Sequence, residues 1–130
     1  LTRPWKIELL RGYCFRQCNP CVIGVSVEGG TLRSGTMAMN EDGKVIGTIK
    51  GVQVEQKNVD KAESGKSVAV SIDGPTLGRQ ICEGDVLYSD IPEDDFKKLK
   101  EFKEYLSEGE KEILKVIAKI RRVNNPVWGV

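Results

Sequence analysis

This sequence predicts a mainly β fold, a small closed β-barrel followed by two C-terminal α-helices, and three observations carry that prediction. Residues 1 to about 90 are rich in Val, Ile, Gly and Thr, alternate with period two, and are broken by glycine turns at short intervals. Residues 92 to about 123 are rich in Lys and Glu at helical spacing and hold one glycine, Gly109. A length of 130 residues with 39% hydrophobic content suits one domain with a real core. The expected division is a barrel over 1–91 and a two-helix extension over 92–130, packed on or beside it. An open sandwich is the runner-up.

The elements follow in order. Ile23, Val25 and Val27 alternate with small or polar partners and run into Gly29-Gly30, which reads as a strand reaching a turn. Thr36 to Met39 leads into "NEDGK", where Asp42-Gly43 suits the positive φ angles of a tight hairpin. The next strand carries Val45 and Ile49, then shifts its apolar parity to Val52 and Val54 across Gly51. Such a slip predicts a bulge that lets a sheet curl. Val68, Val70 and Ile72 alternate strictly up to Asp73-Gly74-Pro75, and Val86 and Tyr88 form one more short strand.

The helical part opens at Pro92 with Glu93, Asp94 and Asp95, a proline and acidic residues suited to a first turn. Phe96, Leu99, Phe102 and Leu106 make one apolar stripe. Ser107 then starts "SEGE", a capping box with Glu110 reaching back. Ile113, Leu114, Ile117 and Ile120 form a second stripe, and Lys119, Arg121 and Arg122 close that helix before "NNP". A helix pair joined at Ser107 buries one stripe on the barrel. The other packs internally or leaves a groove for a peptide or helix.

Charge and composition narrow the function. Twenty basic against 19 acidic residues leave a net charge of +1, whereas a free-standing nucleic-acid binder carries a basic excess. Any RNA contact must therefore be local. No stretch approaches the run of about 20 apolar residues that spans a bilayer, and no signal-peptide pattern is present, so a cytoplasmic, membrane-free protein is expected. The chain opens at Leu1 without a methionine, which reads as a piece of something longer. It contains no histidine. That removes the commonest general base, every Cys-His or Ser-His pair and most mixed zinc sites.

Two motifs invite chemistry. "ESGKS" at 63–67 resembles the tail of a phosphate loop, but Asp60 stands where that loop needs glycine, and a strand follows where a helix is required. A hairpin turn is the better reading. "CFRQCNPC" at 14–21 holds three of the four cysteines. Cys18 and Cys21 have the spacing of a zinc knuckle, yet only Cys14 and Cys82 could complete four ligands. Plain thiols are the favoured reading, with no metal expected. A four-cysteine zinc site, a disulfide from Cys18 or Cys21 to Cys82, and a catalytic thiol remain as alternatives. Between the cysteines, Phe15, Arg16, Gln17 and Asn19 suit an unstacked RNA end, as do Arg79 and Gln80 in a second stretch. A ring or guanidinium stacks on a base while amides read its edge or the 2′-hydroxyl.

The segment "GYCFRQCNPCVIGVSVEGGTLRSG", with the later I-D-G-P-x-x-G-R-Q and E-G-D-V-L-Y motifs and the terminal "NPVWG", resembles the C-terminal part of archaeal and eukaryotic translation initiation factor 5B. That family is homologous to bacterial initiation factor two. The resemblance implies a barrel similar to the second barrel of elongation factor Tu, followed by two helices. It also implies a ribosome-dependent GTPase in the full factor, with GTP and Mg in an upstream domain and no catalysis or cofactor in this part. The implied partners are the acceptor 3′ end of initiator methionyl-tRNA, the C-terminal tail of initiation factor 1A and the ribosome, with the domain acting as a monomer. On matching positions, the resemblance assigns the tRNA end to Phe15, Arg16, Gln17, Asn19, Arg79 and Gln80. The tail falls to Phe102, Leu106, Ile113, Ile117 and Trp128. An interaction module that uses only the helix groove, with no RNA contact, is the alternative. The departure is in the sulfur: relatives tend to carry Val, Ser and Ala at 14, 18 and 21. That argues against a family-wide metal site and leaves a lineage-specific disulfide open.

Overall fold

A computed structural model describes residues 1–130. Eight strands, β1 (Trp5–Arg16), β2 (Cys21–Arg33), β3 (Met37–Met39), β4 (Val45–Val54), β5 (Lys57–Val59), β6 (Lys61–Glu63), β7 (Ser67–Asp73) and β8 (Val86–Ser89), precede two helices, α1 (Glu93–Glu101) and α2 (Glu108–Arg122). Six strands pair antiparallel in the order β1-β8-β3-β4-β7-β2, and β2 pairs with β1 again. The ring is closed, so the sandwich does not form. β5 extends β4, and β6 extends β2.

The alternation seen in the sequence points into this ring. Ile23, Val25 and Val27 of β2, Val70 and Ile72 of β7, and Trp5, Ile7 and Leu9 of β1 are all buried in one interior cluster. The parity slip at Gly51 is a register shift between Ile49 and Gly51 against β7, where the strand curls to close the barrel. β1 has no such clean signal. Its pairing with β2 breaks between Leu9 and Cys14, because residues 10–13 swing away around Gly12 at φ +80°.

Two expectations are corrected. Gly29-Gly30 does not end a strand; β2 runs on to Arg33, with Gly29 and Gly30 paired to Lys6 and Trp5. The glycines are there because other groups occupy the space. A Cβ on Gly29 would stand 2.5 Å from Ile113 Cδ1, and one on Gly30 would run into the Pro4 carbonyl. The first apolar stripe is also not one helix. α1 stops at Glu101, Phe102 leaves helical geometry at φ −109°, ψ 38°, and Lys103–Tyr105 form a 3-10 turn. The tighter winding turns Phe102 outward, 48% exposed, while Leu106 is buried.

A second core joins the helices to the outer barrel wall: Met39 and Tyr88 from the sheet meet Phe96, Leu99, Leu106, Ile113, Leu114 and Ile117. Polar contacts fix α2 at both ends. The capping box forms as expected, with Ser107 Oγ accepting from Glu110 N and Glu110 accepting from Ser107 N, both at 3.1 Å. The same buried Glu110 carboxylate accepts two bonds from Arg3, at 2.9 and 2.7 Å. At the other end Arg121 donates to the Gly43 carbonyl at 3.1 Å and pairs with Asp90. Helix α2 is thereby tied both to the segment before β1 and to the β3–β4 hairpin.

Candidate functional site

The six residues predicted for an RNA end lie at the end of β1 (Phe15, Arg16) and on two loops that meet at one end of the barrel (Gln17 and Asn19 on one, Arg79 and Gln80 on the other). Asn19 turns the first loop at φ 57°, ahead of a cis peptide to Pro20. The second loop is wound by Gly78 at φ +93°, with Gly78 N donating to Ile81 O at 2.7 Å and Arg79 N to Thr76 O at 3.0 Å. Leu77 N donates to the Gln17 carbonyl at 2.9 Å, and this bond joins the loops. Some of the predicted polar groups are engaged locally. Gln80 Oε1 accepts from Thr76 N at 2.9 Å, and Arg16 Nε donates to the Cys18 carbonyl at 2.9 Å. Arg16 and Arg79 form no ion pair, so their charge faces solvent.

The side chains themselves diverge from this junction. Gln17 lines a recess of about 410 Å³ with Arg11, Leu77 and Cys82. Arg79 and Gln80 line another, of about 510 Å³, with Asn40 and Lys44 from the β3–β4 hairpin. Phe15, 67% exposed, turns the opposite way onto the outer barrel wall.

There it lines a groove of about 730 Å³ with Tyr13, Val22, Gln53, Gln56 and Val68. The groove follows from local structure. Outward-facing positions of β2 and β7 give a shallow apolar floor, with Gly24 opposite Ala69. Tyr13 leans across Gly24, where a Cβ would stand 2.9 Å from the tyrosine Cβ. The two-residue β4–β5 turn, Glu55-Gln56, forms the far rim. Tyr13, Gln53 and Gln56 were not among the predicted residues. Their sequence signal was weak, since each stands beside a turn or swing that only the register of β1 and β5 reveals.

The helices carry a second opening. A cleft of about 420 Å³ between α1 and α2 has a floor of Phe96, Leu114 and Ala118. Its rim holds Lys100, Lys103, Lys111, Lys115 and Arg122 against two acids, Glu108 and Glu112. Both acids pair with rim lysines at 3.2 and 3.4 Å. Of the residues predicted for a partner's tail, Ile113 and Ile117 face no groove; they are buried against the barrel, Ile113 over Gly29. Phe102 and Leu106 line a separate recess with Leu1 and Tyr105. Trp128 packs behind the cleft floor, its ring centroid 4.6 Å from that of Phe96.

All four cysteines are unpaired thiols, and no three Cys, Asp or Glu side chains gather as a metal-holding group. Burial, with smaller contributions from the neighbouring Cys14 and Cys18, pushes the Cys21 thiol up from 9.0 to about 11. No helix is long and apolar enough to cross a membrane.

Residues 3–88 match the family described as elongation factor Tu domain 4. The chain belongs to that family. The match ends before the helices. Among solved structures, the barrel and helices together resemble GDP-bound aIF5B from Aeropyrum pernix, with a TM-score of 0.92 and 38% identity over 96% of this chain. Curated relatives include the probable translation initiation factors IF-2 of Hyperthermus butylicus, 48% identical, and Methanopyrus kandleri, 44% identical, each matched over the full chain. The chain spans about a fifth of these proteins, 22% of either IF-2 and 21% of the aIF5B chain. It is the barrel-and-helix domain, domain IV, of the archaeal IF-2 (aIF5B) type.

Proposed function

We propose that this domain serves translation initiation without catalysis, as a two-sided docking unit. The barrel side binds the acceptor 3′ end of initiator methionyl-tRNA, and the helix side receives the C-terminal tail of initiation factor 1A while the factor works on the ribosome. The observation that carries this reading is the groove of Phe15, Tyr13, Gln53 and Gln56. Exposed rings offer stacking surfaces to unpaired bases, and primary amides can read base edges or a 2′-hydroxyl. Arg16 and Arg79 add local positive charge along the barrel end for the phosphates leading to it. GTP and Mg belong to the GTPase domain of the longer factor, and this domain needs no cofactor of its own.

The helix cleft has the complementary character. A lysine rim over an apolar floor suits an acidic segment that contributes apolar side chains. Because net charge is only +1, most affinity on the ribosome comes from effective concentration supplied by the other domains. Isolated RNA binding should be weak, with a shallow salt dependence. Titration of an isotope-labelled chain with a short RNA bearing a 3′-methionyl group, and separately with the tail peptide, tests both halves. The RNA should shift Tyr13, Phe15 and Gln53, and the peptide Phe96, Leu114 and Lys115. If only the peptide moves signals, the domain is a protein-interaction module and the RNA assignment fails.

A further inference from the structure

The thiols of this chain are not scattered. Three of the four gather where β1 hands over to β2: Cys14 on β1, Cys18 in the connection, and Cys21 at the first position of β2. No metal-holding group forms there, and the docking roles proposed for the groove and the cleft use none of these sulfurs.

Strand register brings the three together. Cys14 pairs with Ile23, and Arg16 faces Val22 in the last pair of the ladder. That leaves Cys18 and Cys21 on the two arms of a connection that turns within Asn19-Pro20. Cys21 is fully buried, Cys14 packs against the same interior cluster, and Cys18 is half-buried and reachable from solvent. Burial, and then the neighbouring Cys14 and Cys18, push the Cys21 thiol up to about 11, so all three sulfurs lie within electrostatic reach of one another. Asn19 Nδ2 donates to Cys18 Sγ at 3.7 Å and steadies that sulfur.

We propose that Cys18 and Cys21 are an oxidation site, closing as a reversible disulfide clasp in response to a peroxide. The Cys18 thiolate attacks peroxide, the O–O bond breaks, and a sulfenic acid forms. The hydroxide released takes up the proton lost by Cys18 and becomes water. The Cys21 sulfur then attacks Cys18, the S–O bond breaks, and the leaving oxygen departs as water with the Cys21 proton. Two thiols and one peroxide become one disulfide and two waters. A thiol that burial keeps protonated is a poor first attacker, which makes Cys21 the resolving sulfur and the accessible Cys18 the target. The clasp would act on the junction of the two barrel-end loops. The Cys18 carbonyl holds Arg16 Nε at 2.9 Å, and the adjacent Gln17 carbonyl accepts from Leu77 N at 2.9 Å.

The test treats the reduced 130-residue chain with hydrogen peroxide, blocks remaining thiols with iodoacetamide and digests with trypsin. Cleavage after Arg11, Arg16, Arg33 and Arg79 leaves Cys14 and Cys82 in peptides of their own, while Cys18 and Cys21 share residues 17–33. That peptide should appear unalkylated and lighter by two hydrogens, and dithiothreitol should return it to two free thiols. The Leu77 amide signal should shift between the two forms. Cys14→Ser should leave the bond intact. Cys18→Ser should slow oxidation of Cys21 about tenfold or more, since its buried, protonated thiol attacks poorly. Cys21→Ala should stop Cys18 at the sulfenic acid, which dimedone traps. Cross-linking of 17–33 to the Cys14 or Cys82 peptide overturns the pairing. Full alkylation of 17–33 after peroxide, or a sulfenic acid that persists with Cys21 present, overturns the clasp. An unmoved Leu77 signal overturns its action on the loops.

Discussion

The two openings of this domain are built from one set of strands and helices yet have opposite characters. The barrel-wall groove has aromatic and amide walls and a single acid, Glu55. The helix cleft has an apolar floor under a ring of lysines. Net charge conceals this, because 20 basic and 19 acidic residues nearly cancel. Association is steered by the local field and not by the sum. The openings also differ in support. The groove sits on a closed sheet, whereas the cleft depends on a second core and on the ties of α2 through Glu110 and Arg121.

The comparison is broken most severely by removing that second core. Ile117→Ala deletes a fully buried side chain and should cost about 3 kcal/mol, read by urea denaturation. Peptide binding should be lost while the groove still binds the RNA end; simultaneous loss of both would show one cooperative unit. Glu110→Ala removes the capping box and leaves Arg3 unpaired, for about 2 kcal/mol in the same measurement. An unchanged midpoint would mean that α2 is held by packing alone. Phe15→Ala acts on the other side. The ring is 67% exposed, so stability should hold, while the RNA end should bind about tenfold more weakly if a base stacks there.

Two smaller effects sharpen the contrast. Lys111→Glu with Lys115→Glu should weaken an acidic tail peptide about threefold, and less at high salt, where surface charge is screened. RNA-end binding should not change, as isothermal titration would show. The Cys21 thiol holds its proton more tightly folded than unfolded, because burial raises it to about 11 from 9.0. Tyr88 is shifted in the same direction by burial and by Glu41. The unfolded chain therefore releases these protons first, and stability should fall as pH rises from about 9 towards 11. Denaturation midpoints across that range should decline in wild type and decline less in Cys21→Ala.

How much was legible depended on whether a residue's partners were near in sequence. Strict alternation in Ile23–Val27 and Val68–Ile72, the Gly51 bulge and the Ser107–Glu110 box are local patterns, and each appears in the structure where it was read. Gly29-Gly30 was misread as a turn because its constraints come from distant residues, Ile113 over Gly29, more than 80 residues away, and the Pro4 carbonyl beside Gly30. Phe102 and Leu106 were read as one helical stripe, but with the 3-10 turn between them Leu106 is buried and Phe102 is left exposed. Ile113 and Ile117 were identified as a stripe; only packing decides which side of a helix pair a stripe faces. Of the residues assigned to an RNA end, Phe15 alone reaches the groove. The others crown the loop junction or line neighbouring recesses.

The sequence by itself determined the elements of this protein: curled β-strands, two helices of which the second opens on a capping box, and an absence of histidine that removes whole classes of chemistry. These are properties of period, turn and composition, and they can be read without knowing which strands meet. The tertiary structure decided where the openings lie and what charge each presents. Closing the ring brings Tyr13, Gln53 and Val68 together from three strands. Seating α2 across Gly29 buries one apolar stripe and leaves the lysines of the other face around an open cleft. Burial and local field depend on all neighbours at once, and strand register sets those neighbours across the whole chain.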